Sequence, residues 1–285
     1  MKPMGLTMTM VTQINSGNYG EGFGNISSLK KLHRGDGNVY TYVSRQAIRY
    51  SLVNNLEWDD TDVTVDQSVV QYAPEATIDK YPEIDFFGYM KTTSGESAKT
   101  RSAVCRISHA VSLEPYRSDL DFLTNMGLAK RINEKNAIAQ SEIHNSLYAY
   151  SITIDLDKVG EDGEISLTKN EKIKRVKKLL KGIKLLSRDI RGRRENLSPI
   201  FVIGGVYSTK SPFFENRIVV KNNNLEIELL KNVISMDDEI EVNTKVGYLG
   251  NFFGNDEEMG NLNHQTIGEF FKGLDERVTS YYESN

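Results

Sequence analysis

The sequence predicts a mixed α+β protein whose strands and helices alternate around an inserted lobe. Three observations predict it. Apolar and polar residues alternate from Leu6 to Met10, and Ile14 continues one face. The runs 148–156 and 199–206 carry the β-branched and aromatic residues of central strands. Stripes at helical spacing follow: Ala47, Ile48 and Leu52; then Ile173, Val176, Leu180, Ile183 and Ile190; last Ile267, Phe271, Leu274, Val278 and Tyr281.

In chain order, the first strand reads as half-buried, with its threonines on the more open side. A glycine-dense loop follows at 17–25, where the chain must bend or approach something closely. A turn at Asp36-Gly37-Asn38 leads into a short strand over 39–43. Ser44 is placed to cap a helix from Arg45 to about Asn55. From 57 to 145 the pattern is mixed and turn-rich, as an inserted lobe would be, with short strands expected near 85–90 and 103–111. After the strand at 148–156 a long helix is expected from about Lys169 to Arg191, and a final helix from about Gln265 to Tyr282. This order is compatible with a ferredoxin-like, split βαβ sheet carrying an insertion. Order alone also fits other α+β arrangements.

The composition, 39% hydrophobic and 26% charged with six prolines in 285 residues, is that of a folded globular chain rather than a disordered array. The first fourteen residues lack the apolar run of a signal peptide, and no run approaches the roughly 20 apolar residues of a membrane span. Cys105 is the lone cysteine, so no intrachain disulfide can form. A cytoplasmic location is the expectation. The net charge is -4, but twelve Lys or Arg face only Glu171 and Asp189 between 169 and 194. That stretch carries +10 and leaves -14 on the rest. Phosphate contacts act within a screening length of about 8–10 Å, so the local field matters more than the total.

The glycine loop is not a Walker A loop, since no Gly-Lys-Ser/Thr follows, and Asn25 stands where a dinucleotide fingerprint needs its third glycine. A plain loop is the default reading. Lys30, Lys31 and Arg34, followed by Ser44, Arg45, Gln46 and Arg49, form a second signal. Arg45 and Arg49 lie four apart, and Ser44 sits at a helix N-terminus, where a phosphate would gain free N–H donors and two guanidinium forks. The same residues also fit a capped helix with a solvated basic edge. The lysines after Lys169 mostly lie opposite that helix's apolar stripe, which favours solvent or a neighbour's acidic face over RNA. The histidines, His33, His109, His144 and His264, have no metal-ligand spacing and read as structural, so no metal and no cofactor is implied. His109 alone alternates along an expected strand so that it could face a ligand, beside Arg106. Lys210 with Ser208, Thr209 and Ser211 suits phosphate contact, and Phe213 and Phe214 could wedge between bases or pack inward at a hairpin tip.

Several segments together resemble one family. Asn18-Tyr19-Gly20-Glu21-Gly22, then Gly24 to Leu32, then Tyr42 to Tyr50 are similar to the N-terminal signature of the DevR branch of CRISPR-associated backbone subunits. Phe86 to Met90, Ser108 to Ser112, Glu142 to Tyr150 and the loop from Gly204 to Pro212 continue the likeness in order along the chain. The resemblance implies a palm of RNA-recognition-motif type over 1–56 and 146–206, a finger or web insertion at 57–145, a protruding thumb hairpin at 207–220, and completion of the palm over 221–285. It implies a guide-RNA-coating subunit of a type I-B surveillance complex. Copies would polymerise head-to-tail in a helical filament beside other subunits and present the guide to target DNA. Ser44, Gln46 and Arg49, with Arg45 beside them, would grip the RNA backbone. Asn18 falls in the signature. Tyr207 to Ser211 would contribute thumb contacts, with Pro212, Phe213 and Phe214 at the kinked base. The protein would hold backbone and shape while base pairing reads sequence.

The competing reading is an endoribonuclease of the same superfamily. Relatives that cut RNA use an aspartate after the first strand, but Met1 to Gly35 holds no aspartate and only one acid, Glu21. No catalytic residue is therefore assigned, and the expectation is a binding protein rather than an enzyme. No helix-turn-helix supports a transcriptional regulator. Arg101 is a further charge-based candidate for the finger.

Overall fold

The computed structural model describes residues 1–66, 68–92 and 98–285. Its centre is an antiparallel sheet. The strand Gly5–Ile14 pairs along its whole length with Ser146–Asp155 on one side and with Phe201–Tyr207 on the other. Cys105–Ile107 and Ala110–Ser112 add to the far side of Ser146–Asp155, followed by Val39–Val43 and Lys31–His33. Lys245–Tyr248 closes the other edge. The helix Arg45–Asn55 follows Val39–Val43 directly, and Lys169–Lys184 lies in the connection from Ser146–Asp155 to Phe201–Tyr207.

Strand alternation sorts the side chains. Leu6, Met8 and Met10, with Tyr150, Ile152 and Ile154, meet Ile48, Leu52, Val176, Leu180, Ile183 and the C-terminal helix Ile267–Ser284 in one core. Each fully buried side chain of this kind contributes roughly 1.5–3 kcal/mol. Thr7 and Thr9, expected on an open side, are only 1% and 3% exposed. The reason is tertiary: the chain after Phe201–Tyr207 turns back along this face, and a Cβ on Gly5 would meet the Cα of Lys210 at 3.0 Å. At one end of that face Val11, Leu147, Phe201 and Ile203 form a second core with Phe214, Leu230, Tyr248 and Phe253. Gly204 and Gly205 permit the close approach, since a Cβ would fall 2.1 Å from the Thr7 carbonyl oxygen or 2.2 Å from that of Asn243.

The glycine stretch is not a loop. Tyr19–Phe23 and Ile26–Leu29 pair across the turn at Gly24 and extend a second sheet made with Asp119–Thr124 and Ile138–Ile143. The segment 57–145 is likewise not a separate insertion. Its 105–112 portion completes the central sheet, while 119–143 pairs with residues that precede the first helix. A smaller unit over the earlier part of this segment has its own core of Ala73, Ala76, Ile78 and Ile84. Within it, 82–87 is a helix rather than the expected strand, with Pro82 in the first turn and Phe86 stacked on Trp58 at 5.3 Å.

Buried charges tie this unit to the helix Lys169–Lys184 and the loop before it. Asp85 accepts from Arg101 Nη2 at 2.7 Å, Arg175 Nη1 at 3.1 Å and the Gly160 N–H at 2.9 Å. Burial pushes its carboxyl up from the ordinary value, and these three donors pull it back. Arg101 is therefore buried structure and not a groove residue, which corrects the charge-based expectation. The long helix ends at Lys184 rather than Arg191. Ser187–Ile190 and Arg193–Asn196 form a hairpin whose two turn residues, Arg191 and Gly192, have φ of 47° and 76°. Arg188 on this hairpin binds Glu195 and the Gly17 carbonyl, anchoring the start of the second sheet.

Candidate nucleic-acid interface

On the face of the central sheet opposite the long helix Lys169–Lys184 and the C-terminal helix runs a groove. One part, about 400 Å³, is lined by Arg45, Arg106, Ile107, Ser108, His109, Ser151, Thr153, Lys210, Pro212 and Glu215. An adjoining part, about 420 Å³, shares Ser108, His109, Ser151 and Glu215 and reaches Thr9 and Arg34. The floor is hydroxyl-rich because Thr9, Ser151 and Thr153 alternate with the apolar residues that face the helices. Thr9 Oγ1 and Ser151 Oγ lie 2.7 Å apart. The wall is basic: Arg34, Arg45, Arg106, His109 and Lys210 face the single carboxylate Glu215 among the described lining residues.

Two of these cations are held by acids at the groove edge. Arg106 makes a two-pronged pair with Asp155 at 3.0 and 2.8 Å while its side chain stays half exposed. Asp155 raises the guanidinium pKa further by hydrogen bonding. Lys210 pairs with Asp157. The fork of Arg106 is thus aimed before any ligand arrives. Arg45 is exposed and has no carboxylate within 4 Å among the described residues. Its backbone N–H donates to His109 Nδ1 at 3.0 Å, which leaves Nε2 of His109 toward the groove chemistry.

Other expected contacts fall elsewhere. The helix N-terminus is already capped from within: Ser44 Oγ accepts from the Ala47 N–H, His109 accepts from that of Arg45, and Asn18 Oδ1 accepts from the Ser44 N–H. Ser44 and Asn18 therefore position the strand-to-helix junction and do not present an empty anion seat. Arg49 does not converge with Arg45. It donates to Tyr72 and to Glu83 at 3.0 Å and lies over the Phe87 ring, on the wall of a separate cleft of about 940 Å³ that also contains Gln46. Lys31 is bound to Glu142 and sits over Tyr116, away from the groove. Lys30 is half-buried on the second sheet, its N–H donating to the Asn18 carbonyl.

The thumb expectation is corrected most. Residues 207–220 form no hairpin; the chain makes turns over 213–217 and lies on the sheet. Tyr207 is 0% exposed with its hydroxyl 2.8 Å from Thr244 Oγ1, and Phe214 is 1% exposed in the second core. Neither can touch a base. Phe213 is half-buried edge-on to Tyr207 at 5.1 Å. Ser208 donates to Glu239 at 2.8 Å, Thr209 is exposed, Ser211 is partly exposed, and Pro212 lines the groove. An aromatic after a buried strand packs inward when the chain folds back, and only tertiary structure decides that direction. Of the residues missed, Ser151 and Thr153 lay on a strand whose alternate positions were already assigned to the core, and its parity was the available signal. Ser108 sits in the break between two short strands and Glu215 in the turn over 213–217, where no local pattern marks them.

The family model described as CRISPR-associated negative auto-regulator DevR/Csa2 matches residues 6–226. The chain belongs to this family. A CRISPR-associated protein Cas7/Cst2/DevR of Myxococcus xanthus (strain DK1622) is 28% identical over 152 residues, 46% of this chain and 50% of that protein. The chain thus spans about half the length of the curated relative it matches. The fold is similar to a chain of a CRISPR RNA-guided surveillance complex in a pre-nicking state, with a TM-score of 0.65 and 12% identity over 96% of this chain and all of that one. A second surveillance-complex chain gives a TM-score of 0.60 with 13% identity over 98% and 99% of the two chains. This DevR/Csa2 member therefore shares the mixed α+β architecture of surveillance-complex subunits. No helix among its described residues is long and apolar enough to cross a membrane.

Proposed function

We propose that this protein coats a guide RNA as the backbone subunit of a CRISPR surveillance complex of type I-B, without cutting the RNA. The observation that carries the reading is the basic, hydroxyl-floored groove where Arg45, Arg106, His109 and Lys210 converge on the Thr9 face of the sheet. Hydroxyls, guanidinium forks and an ammonium suit phosphates and 2′-hydroxyls, which are independent of sequence and leave base edges free to pair with target DNA. The strand order Phe201–Tyr207, Gly5–Ile14, Ser146–Asp155 and 105–112, with a helix in the connection after Gly5–Ile14 and another after Ser146–Asp155, supports a palm of RNA-recognition-motif type. The segment 57–104 would be the finger. Head-to-tail copies would continue the groove along the RNA, beside the other subunits. No aspartate lines the groove among the described residues, and Asp155 and Asp157 at its edge are engaged by Arg106 and Lys210, which supports a binding role rather than a cleaving one.

The test is binding of full-length protein to labelled single-stranded RNA at two salt concentrations. Arg45→Glu is expected to weaken binding by about tenfold or more and to flatten the salt dependence, with the RNA intact. Arg49→Glu, on the other cleft, is expected to act less. Cleaved RNA would favour the ribonuclease, and full binding by Arg45→Glu would remove this groove as the site.

A further inference from the structure

The basic stretch of the chain divides when folded. Lys172 and Arg175 are buried at the junction with the 57–104 unit, and Arg188 is buried beneath the second sheet. Lys177, Lys178, Lys181 and Lys184 instead remain on the outer side of the helix Lys169–Lys184, around a depression of about 300 Å³. Among the described residues none of these lysines has a carboxylate within 4 Å. The floor of the depression is Leu180, Phe271 and Asp275. Asp275 Oδ1 is buried and has no hydrogen-bond partner among the described residues, so its charge faces the lysines without binding any of them. Val176, Leu179 and Ile183 of the same helix point into the core beneath the sheet. The lysine face and the groove therefore lie on opposite sides of the sheet, and one strand seated in the groove does not also cover the lysines.

We propose that this lysine face is a second nucleic-acid site, which takes a phosphate backbone other than the one in the groove. The positions are suited to it. Lys177, Lys181 and Lys184 follow one another at i, i+4 and i+7 along one helix face, rising about 1.5 Å per residue, so their ammonium groups form a row on the scale of successive phosphates. Lysines without a carboxylate partner neutralise phosphates without reading bases; Lys178 alone of the four also lies over an aromatic ring, that of Trp58 at 5.6 Å. The sequence pattern alone favoured solvent or an acidic protein face, and the structure argues against the latter. Protein interfaces are depleted in lysine and centre on aromatic or apolar anchors. Here Phe271 and Leu180 are buried, the helices Lys169–Lys184 and Ile267–Ser284 expose no large hydrophobic residue, and Leu185, which caps the first of them, is the nearest that is exposed along the chain. The inference goes beyond the groove reading and does not depend on it.

The experiment measures binding of the full chain to a short labelled DNA duplex, to the same DNA single-stranded, and to single-stranded RNA, each over a salt series. Two variants are compared with the wild type: Lys177→Gln/Lys178→Gln/Lys181→Gln/Lys184→Gln, and Lys178→Glu/Lys181→Glu at the two exposed positions. Both are expected to bind DNA more weakly, with the quadruple variant's log–log salt slope smaller by about 3 for duplex, while RNA, which the groove also holds, loses less affinity. Arg45→Glu is expected to show the reverse, losing RNA and keeping DNA. The duplex and single-stranded arms tell which form the site prefers. Folded variants that bind DNA as the wild type does would overturn the proposal. So would loss of DNA and RNA binding together in Arg45→Glu, which would mean a single shared site. Loss of self-association or of a protein partner with DNA binding intact would assign the face to protein contact and overturn it too.

Discussion

The two faces of the Gly5–Ile14 strand share one backbone and do different work. Leu6, Met8 and Met10 lie under helices in an apolar core. Thr7 and Thr9 lie equally deep but on the groove side, where Thr9 meets Ser151. Burial alone does not distinguish the faces. The difference is what covers them. Helices bring apolar stripes that exclude water, whereas the 208–219 segment brings Lys210, Pro212 and Glu215 and leaves a channel. A threonine floor is the compromise for such a face. Its methyl fills space like a core residue, and its hydroxyl keeps a partner in the fold or toward a ligand.

The largest expected effect tests whether that segment is cover or tool. Phe214→Ala is expected to cost about 3–5 kcal/mol of stability, as for other buried aromatics, with RNA affinity preserved in the folded fraction. Chemical denaturation beside RNA titration reads both. Unchanged stability with lost affinity would restore Phe214 as a base wedge and break the comparison.

A smaller effect sharpens the floor itself. Thr9→Val leaves the Ser151 hydroxyl without its partner in a buried place and is expected to cost about 1–3 kcal/mol. Thr9→Val/Ser151→Ala removes both hydroxyls and is expected to recover much of that loss. A double-mutant cycle with additive costs would show that the two groups are not coupled.

The smallest effect concerns the outer strands. His144 is buried with Nδ1 at 2.8 Å from Thr41 Oγ1 and edge-on to Tyr116, and burial lowers its pKa below the ordinary 6.5. Nearby Glu114 and Asp119 oppose the shift. The folded state thus holds the neutral ring. Below about pH 6.5 the unfolded chain takes up a proton that the folded chain refuses, so stability falls as pH falls toward the folded pKa. His144→Asn is expected to flatten the stability profile between about pH 7.5 and 5.5, and equal slopes for both proteins would discard this assignment.

Much of the architecture was legible from periodicity. The first strand, the helix from Arg45 with its Ser44 cap, the strand before Leu156, the strand before Ser208 and the C-terminal helix all follow from local spacing, because burying one face imposes a period. Arg106 and His109 were both candidates in the sequence and both line the groove, but they lie three apart, and only the break between Cys105–Ile107 and Ala110–Ser112 brings them to one side. Less visible were the pairings between distant segments. Nothing local places 105–112 in the central sheet, or pairs the glycine stretch with 119–143, since a strand's partner is chosen by long-range packing.

The sequence by itself determined the strand and helix stripes, the family signature and the uneven charge. Only the tertiary structure decided which cations are free. Arg49, Lys31, Arg101, Arg175 and Arg188 read alike in sequence, yet each spends its charge on a carboxylate of the same chain. Arg45 and the outer lysines do not. The physical reason is that a long cationic side chain reaches whatever acid the fold brings near it, and a buried charge must find one. Spacing along the chain carries no record of those distances.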